Sequence, residues 1–278
     1  MTAVASVTPS EALRPQDLTL TLLGDYVAPS PHPIWSGGLV ALLAGFGFSP
    51  DSARVALSRL GRRGLLTRTK SGRLAYYALT ARAERVLEEG TRRIFSFGRD
   101  DGWDGTWTWL SYSIPEELRA ERERLRARLA FLGFGSVHDG QWFAPRTRED
   151  ELAALVDDLG LAAHVEVFVG RPSRYSRLAQ LVERAWDLDG LDARYGAFVA
   201  EFGRYVKART LDDRTAFVVR TLAMHRYRRF PRFDPELPTA VRARPGLRDD
   251  AIATFGELWE RLEAPARHHF VTTVQTPA

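Results

Sequence analysis

The chain has 278 residues and not one cysteine. Disulfides, thiolate nucleophiles and thiolate metal sites are therefore excluded, which fits a reducing cytoplasm. Long apolar runs are missing too. The longest, Leu39 to Phe48, falls far short of the ~20 residues that span a bilayer, so no membrane partner is expected. Met1 to Asp17 has no basic stretch and no apolar block, so no signal peptide is expected, and its Ala, Ser, Thr and Pro read as a disordered tail. No GxSxG, HExxH or phosphate-loop motif occurs. Gly45-Phe46-Gly47 lacks the third glycine of a dinucleotide loop and follows a helical stretch, not a strand. The expectation is a protein that is not an enzyme and needs no cofactor.

What the chain does have is misplaced charge. Its net charge is +4, and residues 1–100 alone carry 13 basic and 8 acidic side chains, an excess of +5. The excess concentrates between Asp51 and Arg73, where Arg54, Arg59, Arg62, Arg63, Arg68, Lys70 and Arg73 face a single acid. A local excess of one sign is a better sign of nucleic acid than an overall pI.

That segment also has a readable shape. Ser49-Pro50 starts a helix, with Ser to accept from orphan amides and Pro where no amide is needed. Gly64 stops it. Leu65 to Thr69 and Leu74 to Leu79 flank Lys70-Ser71-Gly72-Arg73, a hairpin signal. At about 100° per residue, Ala53, Ala56, Leu57 and Leu60 share an inward face, while Asp51, Val55, Ser58 and Arg62 lie opposite, flanked by Arg54 and Arg59. With helices expected over Leu18 to Val27 and Trp35 to Ala44, this makes a winged helix-turn-helix. The DNA-binding set expected from it is Ser52, Arg54, Val55, Ser58, Arg59, Arg62, Arg68, Lys70, Ser71 and Arg73. Short side chains permit close approach to the major groove, and arginine can bond guanine or phosphate. The other reading is a protein-interaction winged helix with a solvated basic face.

The whole chain reads as α+β. A disordered tail (1–17) precedes the winged helix domain (18–97) and a Gly-rich linker (98–106). Residues 107–171 show the order βαββαβ of a ferredoxin-like middle domain, with Asp139-Gly140 marking a hairpin. Residues 172–278 are expected to form an all-helical C-terminal domain, with helices over Tyr175 to Leu188, Asp189 to Ala208, Asp212 to Phe230 and Asp249 to Leu262.

Nine stretches stand out: Leu20 to Val27 (LTLLGDYV), Val55 to Leu60 (VALSRL), Gly64-Leu65-Leu66, Tyr76 to Thr80 (YYALT), Trp103 to Trp107 (WDGTW), Leu132 to Gly135 (LGFG), Trp186-Asp187-Leu188, His225 to Pro231 (HRYRRFP) and Asp234 to Pro238 (DPELP). Together they resemble motifs of the phenylacetic-acid degradation regulators, the PaaX-type repressors. The resemblance covers residues 18–263. It implies a one-component transcription factor that binds double-stranded operator DNA as a homodimer, and that is released by an acyl-coenzyme A, with phenylacetyl-CoA the first candidate. It also implies a middle domain similar in fold to ferredoxin-like nucleases of CRISPR systems. Ala243-Arg244-Pro245-Gly246 stands where relatives carry a Trp-Pro-Gly turn, which puts the identity of the effector in doubt.

Arg214, Arg220, Arg226, Arg228, Arg229 and Arg232 form a second basic cluster, suited to the phosphates of a coenzyme A. His225, Arg228 and Arg229 are its effector-binding candidates. The competing reading pairs these arginines with acids such as Asp234, Glu236 and Glu201 across a domain interface. Tyr227, Phe230 and Trp259 would line an aryl pocket or, more simply, belong to the core. His138 with Asp139, and His268 with His269, offer too few convergent ligands for a metal, and none is expected. Asp187, Asp189 and Asp192 lack the terminal Glu of a calcium loop. A nucleic-acid hydrolase using the middle domain is the alternative from another class.

Overall fold

Proline and glycine mark where the elements begin and end. The structure, a computed structural model, describes residues 13–99, 102–241 and 246–275. Most of the expected tail, Asp100 and Asp101 of the linker, and Ala243-Arg244-Pro245 lie outside the described residues. The described residues mix helices with two small antiparallel sheets, an α+β arrangement. They fall into two compact units, one within residues 1–95, 202–228 and 254–278, the other within residues 96–201 and 229–253. The helices expected as a separate C-terminal domain thus divide between the two.

The first unit begins with α1 (Pro15–Tyr26), which Pro15 opens three residues before the expected start. Next come β1 (Ile34–Trp35), α2 (Ser36–Ala44), α3 (Pro50–Arg62), β2 (Leu66–Ser71), β3 (Leu74–Leu79) and α4 (Ala81–Ser96). The sheet order is β1-β3-β2, with Ile34 opposite Tyr77 and Trp35 opposite Tyr76. Strand β1 is only two residues long and follows Pro29, Pro31 and Pro33, so no alternation announced it. Two helices from the far end of the chain complete this unit: α9 (Asp213–Tyr227) and α12 (Glu263–Val274). Every residue of α9 from Ala216 to His225 is buried, which makes it a core helix rather than an amphipathic one. Tyr26 of α1 stacks on Phe270 of α12 at 4.9 Å and meets Phe217 of α9 at 5.2 Å.

In the second unit, β4 (Trp107–Tyr112), α5 (Arg119–Phe131), β5 (Gly135–His138), β6 (Gln141–Ala144), α6 (Glu149–Asp158) and β7 (Val165–Gly170) follow one another. The sheet order is β5-β6-β4-β7 and every neighbouring pair is antiparallel. Strand β4 separates its two faces by alternation. Leu110 joins the core that α5 and α6 cover, with Leu125, Leu129, Trp142 and Leu152, whereas Trp107 packs on the other side with Val182, Leu237 and Val241. Val182 belongs to α7 (Leu178–Ala185), and α8 (Leu188–Val206), α10 (Phe230–Phe233) and α11 (Arg248–Arg261) complete the described helices. Gly135 is required because a Cβ there would lie 2.5 Å from the Trp186 indole, whose Nε1 donates to the Gly133 carbonyl at 3.2 Å.

A candidate nucleic-acid interface and the buried joint behind it

Helix α3 is fixed at both ends by its own sequence. The Ser49 hydroxyl accepts from the Ser52 amide at 3.2 Å, and Pro50 occupies the first turn. At the other end Gly64 adopts φ +68°, which lets the Leu65 amide reach the Leu60 carbonyl at 3.0 Å. Thr80 then ties three elements together. Its hydroxyl donates to the Gly64 carbonyl at 2.8 Å and accepts from the Ala83 amide at 3.1 Å, so the end of α3, the hairpin and α4 share one anchor.

Ala53, Ala56, Leu57 and Leu60 are buried, and burial of each Leu contributes about 1.5–3 kcal/mol. The opposite face carries Ser52, Arg54, Val55, Ser58, Arg59 and Arg62, all exposed. Arg68, Lys70, Ser71 and Arg73 are exposed along the β2–β3 hairpin, whose turn is Gly72-Arg73 with Ser71 opposite Leu74. Arg54 leans back on Asp51 at 2.9 Å, but with side-chain exposures of 65% and 93% this pair is readily exchanged for a phosphate. The sequence-derived DNA-binding residues thus lie on one helix and the hairpin that follows it.

The effector candidates lie elsewhere. His225 is buried, and its Nδ1 is 2.9 Å from the Thr21 hydroxyl. Arg228 donates to the Asp17 carbonyl at 3.1 Å. Arg229 is half-buried, with its guanidinium 5.5 Å from the Phe233 ring. Arg220, which the sequence offered only as one of a cluster, is 2% exposed and bonds Asp25 Oδ2 at 2.6 Å. Its Nε donates to the Trp259 carbonyl at 3.2 Å and its guanidinium lies 3.5 Å over the Trp259 ring. Asp17, Thr21 and Asp25 are spaced by four residues along α1, so one face of α1 is bonded at three levels to Arg220 and His225 of α9 and to Arg228, the residue after it. Sequence reasoning missed this joint because nothing in either helix announces a partner about 200 residues away. The buried Asp25 within a Leu-rich helix was the one local signal.

Burial sets the protonation of this joint. It pushes the Asp25 carboxyl up to about 6 against the pull of Arg220. Burial, with the nearby Arg228 and Arg226, holds the His225 imidazole down to about 3, so it is neutral. Tyr227 stacks on Phe255 at 3.8 Å, and Phe230 meets Tyr195 at 4.6 Å, so both rings are core. Among the described residues, no three His, Cys, Asp or Glu side chains converge as metal ligands, and no helix is long and apolar enough to cross a membrane.

The fold and site define a chain with a positively charged helix-and-hairpin surface braced from behind by its own C-terminal helices. Residues 14–83 match the family described as PaaX-like protein, residues 100–182 the PaaX protein central Cas2-like domain, and residues 186–272 the PaaX-like protein C-terminal domain. Over 230 residues the chain is 30% identical to the transcriptional repressor PaaX of Escherichia coli (strain K12), covering 80% of this chain and 72% of that one. In fold it is similar to an uncharacterized protein of Mycobacterium tuberculosis, Rv0674, with a TM-score of 0.57 and 22% identity over 91% of this chain and 96% of the other. The chain belongs to the PaaX family.

Proposed function

We propose that the chain is a sequence-specific, double-stranded-DNA-binding transcriptional repressor of the cytoplasm, acting as a homodimer. The carrying observation is the division of α3: one face is buried in the core, while the other, with the β2–β3 hairpin, presents exposed basic and short side chains. In this reading α1 to α3 with the small sheet are a winged helix, α3 enters the major groove, and Arg68, Lys70 and Arg73 follow the backbone. The β5-β6-β4-β7 order with two covering helices supports a ferredoxin-like middle domain. The opposite face is covered in part by α7, Leu237 and Val241, and carries a row of aromatics, Phe143, Trp109 and Phe168, at 5.9 and 5.5 Å, which ends on the exposed edge strand β7. Such a face and edge suit the dimer contact.

The effector belongs to this reading as a small molecule that favours the DNA-free state, an acyl-CoA being the class the family resemblance implies. His225 and Arg228 then serve to carry its effect to α1, to which both are bonded, with Arg229 adjoining them. No observation favours the alternative, hydrolysis of nucleic acid by the middle domain.

The test is binding of the chain to its own upstream DNA, measured by fluorescence anisotropy against salt. Affinity should fall steeply as salt rises, and Arg54→Ala with Arg62→Ala should weaken it about tenfold or more. Unchanged binding in that double variant would remove α3 from the interface.

A further inference from the structure

The second unit contains a cavity of about 370 Å³, within the range of small-molecule sites, ~300–1,000 Å³. The corner where α7 passes into α8 forms one wall, and Asp234, Leu237, Gly246 and Arg248 the other. Three polar groups make its buried lining: Tyr195, Asp234 and Arg248.

Arg248 is the anomaly. Its side chain is 8% exposed, yet its nearest carboxylate oxygens are Asp249 Oδ1 at 3.7 Å and Asp234 Oδ2 at 3.9 Å, both beyond hydrogen-bonding distance. Its Nε is buried without a hydrogen-bond partner among the described residues. Asp234 cannot turn to serve it. The Tyr195 hydroxyl donates to Asp234 Oδ2, and the Glu236 amide donates to Oδ1 at 2.5 Å. A buried guanidinium with donors to spare asks for an acceptor from outside.

A strained residue adjoins Asp234. Glu236 has φ +52°, the only non-glycine in the left-handed region among the described residues. It is held there by Asp234 on its amide and by Arg146, which donates to its carbonyl at 2.7 Å. Such strain gathers at ligand clamps and switches.

The charge of the lining narrows the ligand. Among the described lining residues, five carboxylates, those of Glu183, Asp187, Asp189, Asp192 and Asp234, stand against one guanidinium. A polyanion such as coenzyme A is repelled there, and a simple carboxylate gains Arg248 but faces the acids. An amine alone leaves Arg248 unbonded. Asp187 spends Oδ1 on the Gly190 amide and Asp192 spends Oδ1 on the Leu247 amide, which leaves Oδ2 of each to receive an ammonium. We propose that this cavity binds a small amino-carboxylate, an amino acid or close derivative, with its carboxylate on Arg248 and its ammonium toward Asp187 and Asp192. Trp186 and Leu237 supply an apolar wall for its side chain.

Calorimetric titration of the full chain with each of the twenty standard L-amino acids tests this without DNA, so its outcome is separate from that of the operator reading. Saturable binding of at least one is expected. Its deaminated and decarboxylated analogues should bind at least tenfold more weakly, and Arg248→Gln should weaken the parent ligand at least tenfold. Asp187→Asn keeps the acceptor for Gly190, so the fold is retained, and should narrow the preference over the deaminated analogue. Absence of binding by all twenty, equal binding of the deaminated analogue, or Arg248-dependent binding of phenylacetyl-CoA in their place would overturn the assignment.

Discussion

Among the described residues, each of the two units buries one arginine, and the two are used differently. Arg220 and Arg248 are 2% and 6% exposed. Arg220 is bonded to Asp25 at 2.6 Å, donates to a carbonyl and lies flat on Trp259. Arg248 has two carboxylates nearby and a hydrogen bond to neither. Burial alone would assign both to structure. Donor saturation separates them: a satisfied guanidinium holds α1 against α9, whereas an unsatisfied one leaves capacity for a ligand.

The comparison is most directly broken at Arg220. Arg220→Met leaves Asp25 buried without its partner and should cost about 3–5 kcal/mol of stability in denaturant unfolding. Adding Asp25→Asn should restore part of that loss, because the uncompensated carboxylate, not the lost contact, dominates it. A single substitution costing less than about 1 kcal/mol would show that the joint is not what braces the proposed DNA-binding face.

The pH dependence of the same joint gives the next largest effect. The unfolded His225 titrates near 6.5 and the folded one near 3, so its contribution is full above about 6.5 and is lost as pH falls toward 3. Asp25 acts oppositely. Its folded carboxyl takes up a proton near 6 and the unfolded one near 3.8, so acid stabilises the fold between those values. Each has a slope of about 1.4 kcal/mol per pH unit, and between about pH 4 and 6 they offset one another. Relative to the parent, His225→Asn should therefore gain stability on acidification from 6 to 4, and Asp25→Asn should lose it. Parallel stability curves for the three proteins would overturn both assignments.

What could be read from the sequence was local. Ser49-Pro50, Gly64 and the one-signed charge of α3 and its hairpin are short-range signals, and α3 begins and ends where they place it. Long-range partnership left no such trace. Arg220 belongs to a basic cluster read either as a phosphate site or as paired with acids such as Asp234, Glu236 and Glu201, yet its partner is Asp25, because α9 packs on α1 across most of the chain's length. Helix α12 was not among the helices expected by range. Its Pro265 stands in the first turn, where its absent amide costs nothing. The cavity at Arg248 was invisible because its anomaly is a missing bond, and a sequence shows residues but not their unmet donors.

Arg248→Met is expected to cost about 1 kcal/mol or less in the same unfolding measurement, since Asp234 keeps Tyr195 and the Glu236 amide when the guanidinium goes. A loss equal to that of Arg220→Met would erase the distinction between the two buried arginines.

The smallest effect on stability belongs to the exposed face. Arg62→Ala removes a solvated side chain at the end of α3 and should change stability by less than about 0.5 kcal/mol. Its effect on operator affinity should be the reverse of negligible, with the salt dependence of binding reduced by about one unit of slope if Arg62 meets a phosphate. Reduced specificity at one base pair, with the salt slope kept, would place it on a base edge instead. Together with Arg220→Met, this separates the two ways the proposed DNA binding can be lost: Arg62→Ala would remove a contact from an intact surface, while Arg220→Met would remove the support that keeps the surface in shape.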